Sequence, residues 1–174
     1  MDGNTALPHW GYDVADKISV ELIPDIPPYN IPVVSLSGVD LLTNGLATFQ
    51  IALSSNANYY IKVRNRNHIE TWSALPVSFV PSTVEYDFRS SMGQAYGSDA
   101  QVLVEPNVYA FYLGDLDQNT WVDAYDFNIF EPDITQGSTG FFDTDLDGSG
   151  WVDSMDFNLF EPRILMGTTA QYPY

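Results

Sequence analysis

The sequence predicts a mainly β protein, with an antiparallel β-sandwich over residues 17–113 and a duplicated acidic module over residues 114–167. Short apolar-alternating segments separated by proline, glycine and asparagine turns indicate the sandwich. A pair of acidic segments offset by 30 residues indicates the module. No segment before the module has a helical period. We expect residues 1–16 to form an extended N-terminal arm and residues 168–174 to form a C-terminal tail.

The predicted strands follow one another at short intervals. The first covers residues 17–23 and places Ile18, Val20 and Leu22 on one face. Asn44-Gly45 is a strong turn signal before a later strand, and Ser37-Gly38 is expected to end an earlier one. Two strands are predicted around Pro76 and Pro81, the second of them at residues 84–88, and the others are expected at residues 33–36, 48–53, 59–69, 101–105 and 108–113.

The segment 59–69 concentrates positive charge on one predicted face. Ile61 and Val63 point to one side of this strand. The opposite side carries Tyr60, Lys62, Arg64, Arg66 and His68. We interpret this side as a solvated face that balances acidic neighbours. The alternative is a docking face for an acidic surface, such as the acidic module of another copy.

The module contains two twelve-residue loops, residues 115–126 and 145–156, each followed by Phe-Asn-Ile/Leu-Phe-Glu-Pro. Oxygen-bearing side chains recur at loop positions 1, 3, 5, 9 and 12, and the backbone carbonyl of position 7 would join them. In order, the predicted ligands are Asp115, Asp117, Asn119, Trp121, Asp123 and Asp126, then Asp145, Asp147, Ser149, Trp151, Asp153 and Asp156.

This spacing is typical of an EF-hand-type calcium loop, because calcium is a hard cation that takes six to eight oxygen ligands. We therefore predict two bound Ca²⁺ ions. Gly150 suits the sharp turn at position 6, whereas Thr120 in the first loop is a mild defect. Val122 and Val152 at position 8 are expected to join the two loops through a short strand-like contact. The alternative is a pair of metal-free acidic turns, which the mutual repulsion of the carboxylates disfavours.

Charge and composition exclude several classes of function. The net charge is −17, and 12 of the 23 acidic residues lie between Asp115 and Glu161, a stretch without Lys or Arg. Nucleic acid is a poor partner for such a surface. The absence of cysteine excludes disulfides and thiolate zinc sites. No apolar run is long enough to span a membrane, and no leader is visible, so we expect a processed part of a longer secreted precursor.

The sequence contains no pattern typical of an enzyme. His9 and His68 are the two histidines, and neither belongs to a zinc motif. There is no phosphate loop and no nucleophile elbow. The acidic residues could act as glycosidase carboxylates, but their repeated loop spacing favours metal ligation. We therefore predict a protein that is not an enzyme.

The two loops resemble the repeats of dockerin type I modules, which are calcium loops with one exiting helix, no entering helix and Asp at position 12. Asp126 and Asp156 match this feature, and residues 108–113 precede the first loop as a predicted strand. The resemblance covers residues 114–167, about a third of the chain. It implies calcium binding and raises the alternative of docking on a cohesin-like receptor.

The helices are where the sequence departs from that family. Pro132 and Pro162 come six residues after the last ligand, which predicts that each helix is nearly finished there. Positions 10 and 11 are Ala124-Tyr125 and Ser154-Met155, and no Lys-Arg pair follows. The cohesin contacts of the family are therefore not transferred to this chain.

The upstream region is similar to C-terminal modules of secreted proteins in Bacteroidetes-like bacteria, in which a prealbumin-like or Cna-B-like sandwich precedes a dockerin-like pair. The similar sequence segments run from Tyr59 to Ser73, from Tyr86 to Phe88 and from Gln94 to Gly97. This resemblance implies an extracellular or cell-surface structural module.

Three functions follow as expectations. The first is a calcium-stabilised extracellular structural module that associates with other copies or with a surface assembly protein. Head-to-tail association of copies could form a filament. Its basic strand face could dock on a neighbour's acidic module, and its arm or the strand 17–23 could extend a neighbouring sheet. The second is a dockerin-like anchor for a larger protein. The third is a carbohydrate-binding sandwich, with Trp10, Trp72, Tyr172 and Tyr174 as stacking side chains.

Overall fold

A computed structural model describes residues 9–53 and 57–174, and within them the protein is mainly β with antiparallel sheets and two α-helices. The predicted mainly β, antiparallel fold class is thereby confirmed. Residues 1–8 of the predicted arm and residues 54–56 lie outside the described part. The elements are β1 Val14–Pro24, β2 Val34–Leu42, β3 Asn58–Asn65, β4 His68–Trp72, β5 Val77–Ser78, β6 Gln101–Glu105, β7 Val108–Phe111, α1 Ala124–Gln136 and α2 Ser154–Met166.

The larger sheet has the order β2-β1-β3-β4, with β5 on the end of β3. The alternation predicted for residues 17–23 buries Ile18, Val20 and Leu22 under the sheet. The strand begins at Val14, inside the predicted arm, and both of its sides are paired. The proposed addition of residues 17–23 to a neighbour's sheet is therefore wrong, because the backbone groups of this strand already bond to β2 and β3.

The strand β2 continues through Gly38, where the sequence predicted its end. The register changes from Ile18↔Val39 to Val20↔Leu36, so β2 holds one extra residue opposite β1. Gly38 has φ +70°, a conformation that glycine adopts without steric cost. Gly38 therefore marks a β-bulge within a strand.

The prediction of one continuous strand over residues 59–69 is wrong. The chain turns at Arg66 and Asn67, and β3 and β4 form a hairpin in which Asn65 pairs with His68. The Asn65 side chain accepts a hydrogen bond from the Asn67 N–H at 3.4 Å. Asparagine side chains stabilise turns in this way, in competition with strand pairing.

Two further predicted strands keep their alternation but lack ladder pairing. Residues 48–53 and 84–88 pair with no strand in the described chain. Their alternate side chains nevertheless cover the core of β1 and β3 as partly buried groups: Phe49, Ile51, Leu53, Tyr86 and Phe88. Phe111 of the β6–β7 hairpin packs on the same core, so the second layer combines one hairpin with extended chain.

The prolines do not end the helices, contrary to the sequence-based expectation. Pro132 lies inside α1 and Pro162 inside α2, and each helix continues for four residues beyond its proline. Both prolines are exposed, so water can bond the carbonyl that each leaves without an N–H partner. The helices end at Gly137 and Gly167 in left-handed C-caps. Within the described residues, no helix is long and apolar enough to cross a bilayer.

The two helices share a second core. Phe130 and Phe160 are both fully buried and stack with ring centroids 5.2 Å apart. Ile69 of β4 belongs to the same cluster, as do residues of both acidic loops. Phe130 and Phe160 therefore pack the two repeats together.

Candidate metal centre

Each acidic loop leads directly into a helix through a capping box. The Asp123 side chain accepts a hydrogen bond from the Tyr125 N–H at 2.7 Å, and Asp126 accepts one from the Asp123 N–H at 2.8 Å. Asp153 and Asp156 repeat this arrangement in the second loop. The motif satisfies helix N–H groups that would otherwise lack partners, so the same aspartates start the helix and shape the loop.

Positions 1, 3 and 12 of each loop converge. One carboxylate oxygen from each of these three residues lies within 4.8 Å of the other two. Positions 1 and 12 are buried and position 3 is exposed in both loops. The two triads, which could each hold a metal ion, are Asp115, Asp117 and Asp126, and Asp145, Asp147 and Asp156.

Backbone N–H groups hold the position-12 carboxylate in place. Asp126 Oδ1 accepts hydrogen bonds from the N–H groups of Leu116 at 2.7 Å and Asp117 at 3.1 Å. Asp156 receives the corresponding two bonds in the second loop at the same distances. The loop therefore closes on its last ligand, and this closure orients the carboxylate toward positions 1 and 3.

The position-1 carboxylates differ in how they are satisfied. Asp115 accepts from the Asn119 N–H through Oδ1 and from the Thr120 N–H through Oδ2. Asp145 accepts from the Gly150 N–H through Oδ2, while its buried Oδ1 has no hydrogen-bond partner within residues 9–53 and 57–174. Such an oxygen is costly to bury unless a further ligand joins it. A cation among the three carboxylates fits this donor set.

The side chains at positions 5 and 9 bond to backbone groups of the loops and helices. Asn119 Oδ1 accepts from the Trp121 N–H at 2.9 Å, and Ser149 Oγ contacts the backbone of Trp151. The position-9 aspartates, Asp123 and Asp153, cap the helices. Asn119 also donates from Nδ2 to Asp117 Oδ2 at 2.8 Å, so position 5 of the first loop is hydrogen-bonded to a member of the triad.

The residues on either side of position 7 in the first loop bond to the segment after α2. Thr120 and Val122 bond to the segment after α2, through Ala170 N–H to Thr120 O and Val122 N–H to Thr168 O, both at 2.8 Å. The carbonyl of Trp121 is not among the groups that bond to that segment, and its predicted role as a ligand stays a prediction.

The two loops do not pair with each other, contrary to the sequence-based expectation. Trp121 forms a β-bridge with Thr169, and Trp151 forms one with Thr139. Each loop thus pairs with the segment that follows the helix of the other repeat. Residues 168–170 of the predicted tail are consequently bonded into the first loop, and Ala170 is 8% exposed.

The turn at positions 4 and 6 requires left-handed backbone in both loops. Gly148 and Gly150 adopt it with φ +72° and +85°. Gln118 and Thr120 adopt it in the first loop with φ +59° and +80°, although side chains with a Cβ are strained there. The mild defect predicted at Thr120 is thus a strained residue in an otherwise equivalent turn.

Burial raises the pKa of every position-1 and position-12 carboxyl. The pKa of Asp115 rises to about 6, mainly through burial and also through the charge of Asp126, although backbone hydrogen bonds oppose the shift. Burial likewise raises the pKa of Asp126, Asp145 and Asp156. The charged form of each triad is therefore unfavourable by itself, which is the electrostatic condition that a bound cation would relieve.

The β3–β4 hairpin contacts both loops, which the sequence did not predict. The Arg64 guanidinium donates to the Gln118 carbonyl at 3.2 Å. Arg66 donates to the carbonyls of Phe142 and Asp145, and the Asn67 amide donates to those of Asp143 and Asp145. The available signal was the basic segment itself, since it is the strongest local concentration of positive charge in an acidic chain.

This placement changes the reading of the basic face. Arg64 and Arg66 are bound within their own chain, and Lys62 forms ion pairs with Glu21 at 2.5 Å and Glu70 at 3.6 Å. Burial lowers the pKa of His68 to about 4. The acidic surface that this face meets is therefore the module of the same molecule.

Of the four aromatic residues singled out for sugar stacking, the two tryptophans are packed, whereas Tyr172 and Tyr174 are exposed. Trp72 is 3% exposed and lies between Tyr60 and Tyr172. Trp10 packs edge-on against Phe141. A flat exposed platform of the kind that binds sugars needs accessible rings, and Trp72 does not provide one.

In comparisons with known proteins, no family model, curated protein or solved structure matched this chain.

Proposed function

We propose that the module over residues 114–170 binds two calcium ions and thereby acts as a rigid extracellular structural unit within a larger assembly. The observation that carries this proposal is the pair of carboxylate triads, one of which contains the unpartnered buried Oδ1 of Asp145. The donors are carboxylate, amide, hydroxyl and backbone oxygens, which suit a hard cation. The ion would supply positive charge where four carboxyls have raised pKa values.

Dockerin-like architecture is part of this proposal. Each loop leads into one 13-residue helix, and in the described chain neither loop follows a helix directly. Calcium loops of extracellular modules work at dissociation constants on the order of 10⁻⁴ to 10⁻³ M. The neutral side chains at position 5, Asn119 and Ser149, are consistent with that affinity range and hence with a secreted or cell-surface protein.

Association with other copies, or with a surface assembly protein, needs a free surface other than the basic hairpin. The outer side of β2 is suited to this role. Within the described residues its only pairing is the isolated bridge from Leu41 to Ala47. An edge strand of nine residues can accept a strand from a partner.

Thermal unfolding tests the calcium proposal. We expect millimolar calcium to raise the unfolding midpoint of ion-stripped protein, because ions that bind only the folded state stabilise it. Magnesium serves as the control, since its smaller ion demands a tighter octahedral site. Identical midpoints with and without calcium would overturn the proposal.

Size-exclusion chromatography and negative-stain microscopy test the assembly. The proposal predicts larger species in calcium than in chelator. A strict monomer at high concentration in calcium would sink the self-association, while leaving ion binding intact.

Docking on a cohesin-like receptor is the second candidate, because the helices are longer than the sequence predicted. Their equivalent outer positions carry exposed apolar side chains, Tyr125 with Met155 and Ile129 with Leu159. Such a surface is suited to a protein partner. A pull-down with cohesin domains discriminates the candidates: calcium-dependent capture would rank docking first, and its absence would leave the structural role.

A further inference from the structure

Gln118, at position 4 of the first loop, is joined to the β3–β4 hairpin through both its side chain and its backbone. Its Nε2 donates to the carbonyls of Arg66 and His68, each at 3.3 Å, and to that of Asp115 at 2.5 Å. Its own carbonyl accepts from the Arg64 guanidinium. One residue thus connects two carbonyls of the hairpin with the carbonyl of the first ligand.

The equivalent residue of the second loop is Gly148, which has no side chain to contact the hairpin. A Cβ built at Gly148 would meet nothing within 4 Å among the described residues, so space does not require glycine there. Backbone conformation favours glycine at both positions, since both have φ in the left-handed region. Gln118 is therefore strained where glycine would not be, and its contacts with the hairpin offset that strain.

The hairpin also contacts the second loop, through the side chains of Arg66 and Asn67. The Arg66 guanidinium donates to the Asp145 carbonyl at 3.3 Å, and the amide of Asn67, which is 1% exposed, donates to the same carbonyl at 3.4 Å. The carbonyls of both position-1 residues, Asp115 and Asp145, are thus fixed by the hairpin or by the residue anchored on it.

We propose that the β3–β4 hairpin is a shared positioning element for both ion sites, with Gln118 serving the first loop and Arg66 the second. This inference rests on the proposed calcium function. The hairpin belongs to the five-stranded sheet, because β3 pairs with β1 and His68 bridges to Leu113 beside the first loop. Ion affinity therefore depends on the folded sheet, and by reciprocity the bound ions stabilise the sheet.

Terbium luminescence can read the two sites separately, since Tb³⁺ replaces calcium and the tryptophan at position 7 sensitises its emission. The reporter backgrounds are Trp151→Phe, which leaves Trp121 at the first site, and Trp121→Phe, which leaves Trp151 at the second. Both changes retain the backbone carbonyl. Each further variant is titrated in both backgrounds of the full chain, and calcium competition gives the calcium affinity.

We expect Gln118→Gly to weaken binding at the first site about tenfold and to change the second site less than about twofold. We expect Arg66→Ala to show the opposite selectivity with a loss of about tenfold. Arg89→Ala is the charge-matched control, because Arg89 is exposed, pairs with Asp87 and contacts neither loop in the described chain. It should change either site less than about twofold.

The variant Thr120→Gly distinguishes the effect of backbone strain on ion affinity from the effect of the hairpin contacts. It removes a strained side chain without touching the hairpin contacts, so first-site affinity should rise about threefold. If backbone strain alone mattered, Gln118→Gly would also tighten the site. That result, or equal loss at both sites for every variant, would overturn the inference.

Hydrogen exchange of the unaltered chain gives an independent test. Calcium should slow amide exchange in β1 and β3 as well as in the loops. Protection confined to residues 114–170 would contradict the coupling. Absence of any terbium or calcium binding would instead refute the proposed function itself, so the two failures are distinguishable.

Discussion

Asp115 and Asp145 occupy the same loop position but differ in how many of their carboxylate oxygens accept hydrogen bonds. Asp115 accepts one backbone hydrogen bond through each carboxylate oxygen, whereas Asp145 accepts through one oxygen and buries the other. Burial and the nearby charges of Asp147 and Asp156 raise the pKa of Asp145. Its charge therefore destabilises the ion-free module and becomes favourable once a cation is bound.

Replacing Asp145 by asparagine should have effects of opposite sign in the two states. In chelator, Asp145→Asn should raise the free energy of unfolding by about 1 kcal/mol, because a buried charge is removed. In calcium, it should lower stability by about 2 kcal/mol or more, because an ion site is lost. Chemical denaturation under both conditions measures the difference.

Asn119→Ala is the matched control for that experiment. Asn119 is an exposed, neutral residue outside the triad, so its loss should cost less in calcium and leave the chelated state nearly unchanged. Equal effects of the two variants in calcium would contradict the assignment of Asp145 as a principal ligand.

Calcium-induced stabilisation should decrease as the pH falls from 7 to 5. The folded pKa of Asp115 is about 6, above its usual value of 3.8, so between these values the ion-free folded chain binds more protons than the unfolded chain. Ion-free stability therefore falls as pH rises through this window. Bound calcium requires ionised ligands and reverses that slope.

His68 affects the pH dependence of stability in the same range, but with the opposite sign to Asp115. Burial lowers its pKa from 6.5 to about 4, so its contribution to stability is lost as the pH falls through that interval. Because His68 titrates both with and without calcium, the difference between the two unfolding curves isolates the carboxylates. A calcium-induced shift that is independent of pH would contradict the raised pKa values of the triads.

Among the elements, the sequence predicted side-chain alternation better than backbone pairing. Residues 48–53 alternate as expected and direct Phe49 and Ile51 toward the core, yet form no ladder with a described strand. Alternation reports which face is buried, and an extended segment can satisfy it without strand partners. Pairing depends on neighbours distant in sequence, which a local pattern does not contain.

The helices exceeded their predicted length because each proline lies on the solvent side. Pro132 is exposed, and the carbonyl of Asn128 loses only the hydrogen bond that residue 132 would donate. The prediction treated proline as a terminator, whereas the left-handed Gly137 is the residue that ends the helix. Glycine was therefore the better signal of the two.

Pro132→Ala should stabilise the module by about 1 kcal/mol, because the substitution restores a helical hydrogen bond at an exposed position. Glu131→Ala, at the exposed neighbouring residue, is the control and should stay within about 0.5 kcal/mol of the unaltered chain. Urea denaturation in calcium measures both. A destabilised Pro132→Ala variant would show that the proline shape is needed for packing.

For the whole molecule, the sequence predicted that positions 1, 3 and 12 of each loop converge, but not where the loops dock. The twelve-residue spacing brought positions 1, 3 and 12 together in both repeats, because those contacts lie within one short turn. The contacts of Arg66 with Phe142, just before the second loop, and with Asp145, its first residue, span 76 and 79 residues. No periodic pattern encodes such a contact, although the charge of the basic segment was consistent with it.

The positive charge of the basic segment and the negative charge of the acidic module meet within one molecule. The basic segment, for which docking on another copy was the alternative interpretation, contacts the module of its own chain through Arg64 and Arg66. The module and the sheet are therefore physically joined, and any assembly must use other surfaces, such as the outer side of β2 or the exposed faces of the helices.

Counting bound ions tests the central claim most directly. Equilibrium dialysis of the ion-stripped chain against millimolar calcium should give two ions per chain, and one ion per chain for Asp145→Ala. Isothermal titration calorimetry of the same samples should show matching stoichiometries. Fewer than one ion per unaltered chain at millimolar calcium, with the fold intact by circular dichroism, would contradict the account.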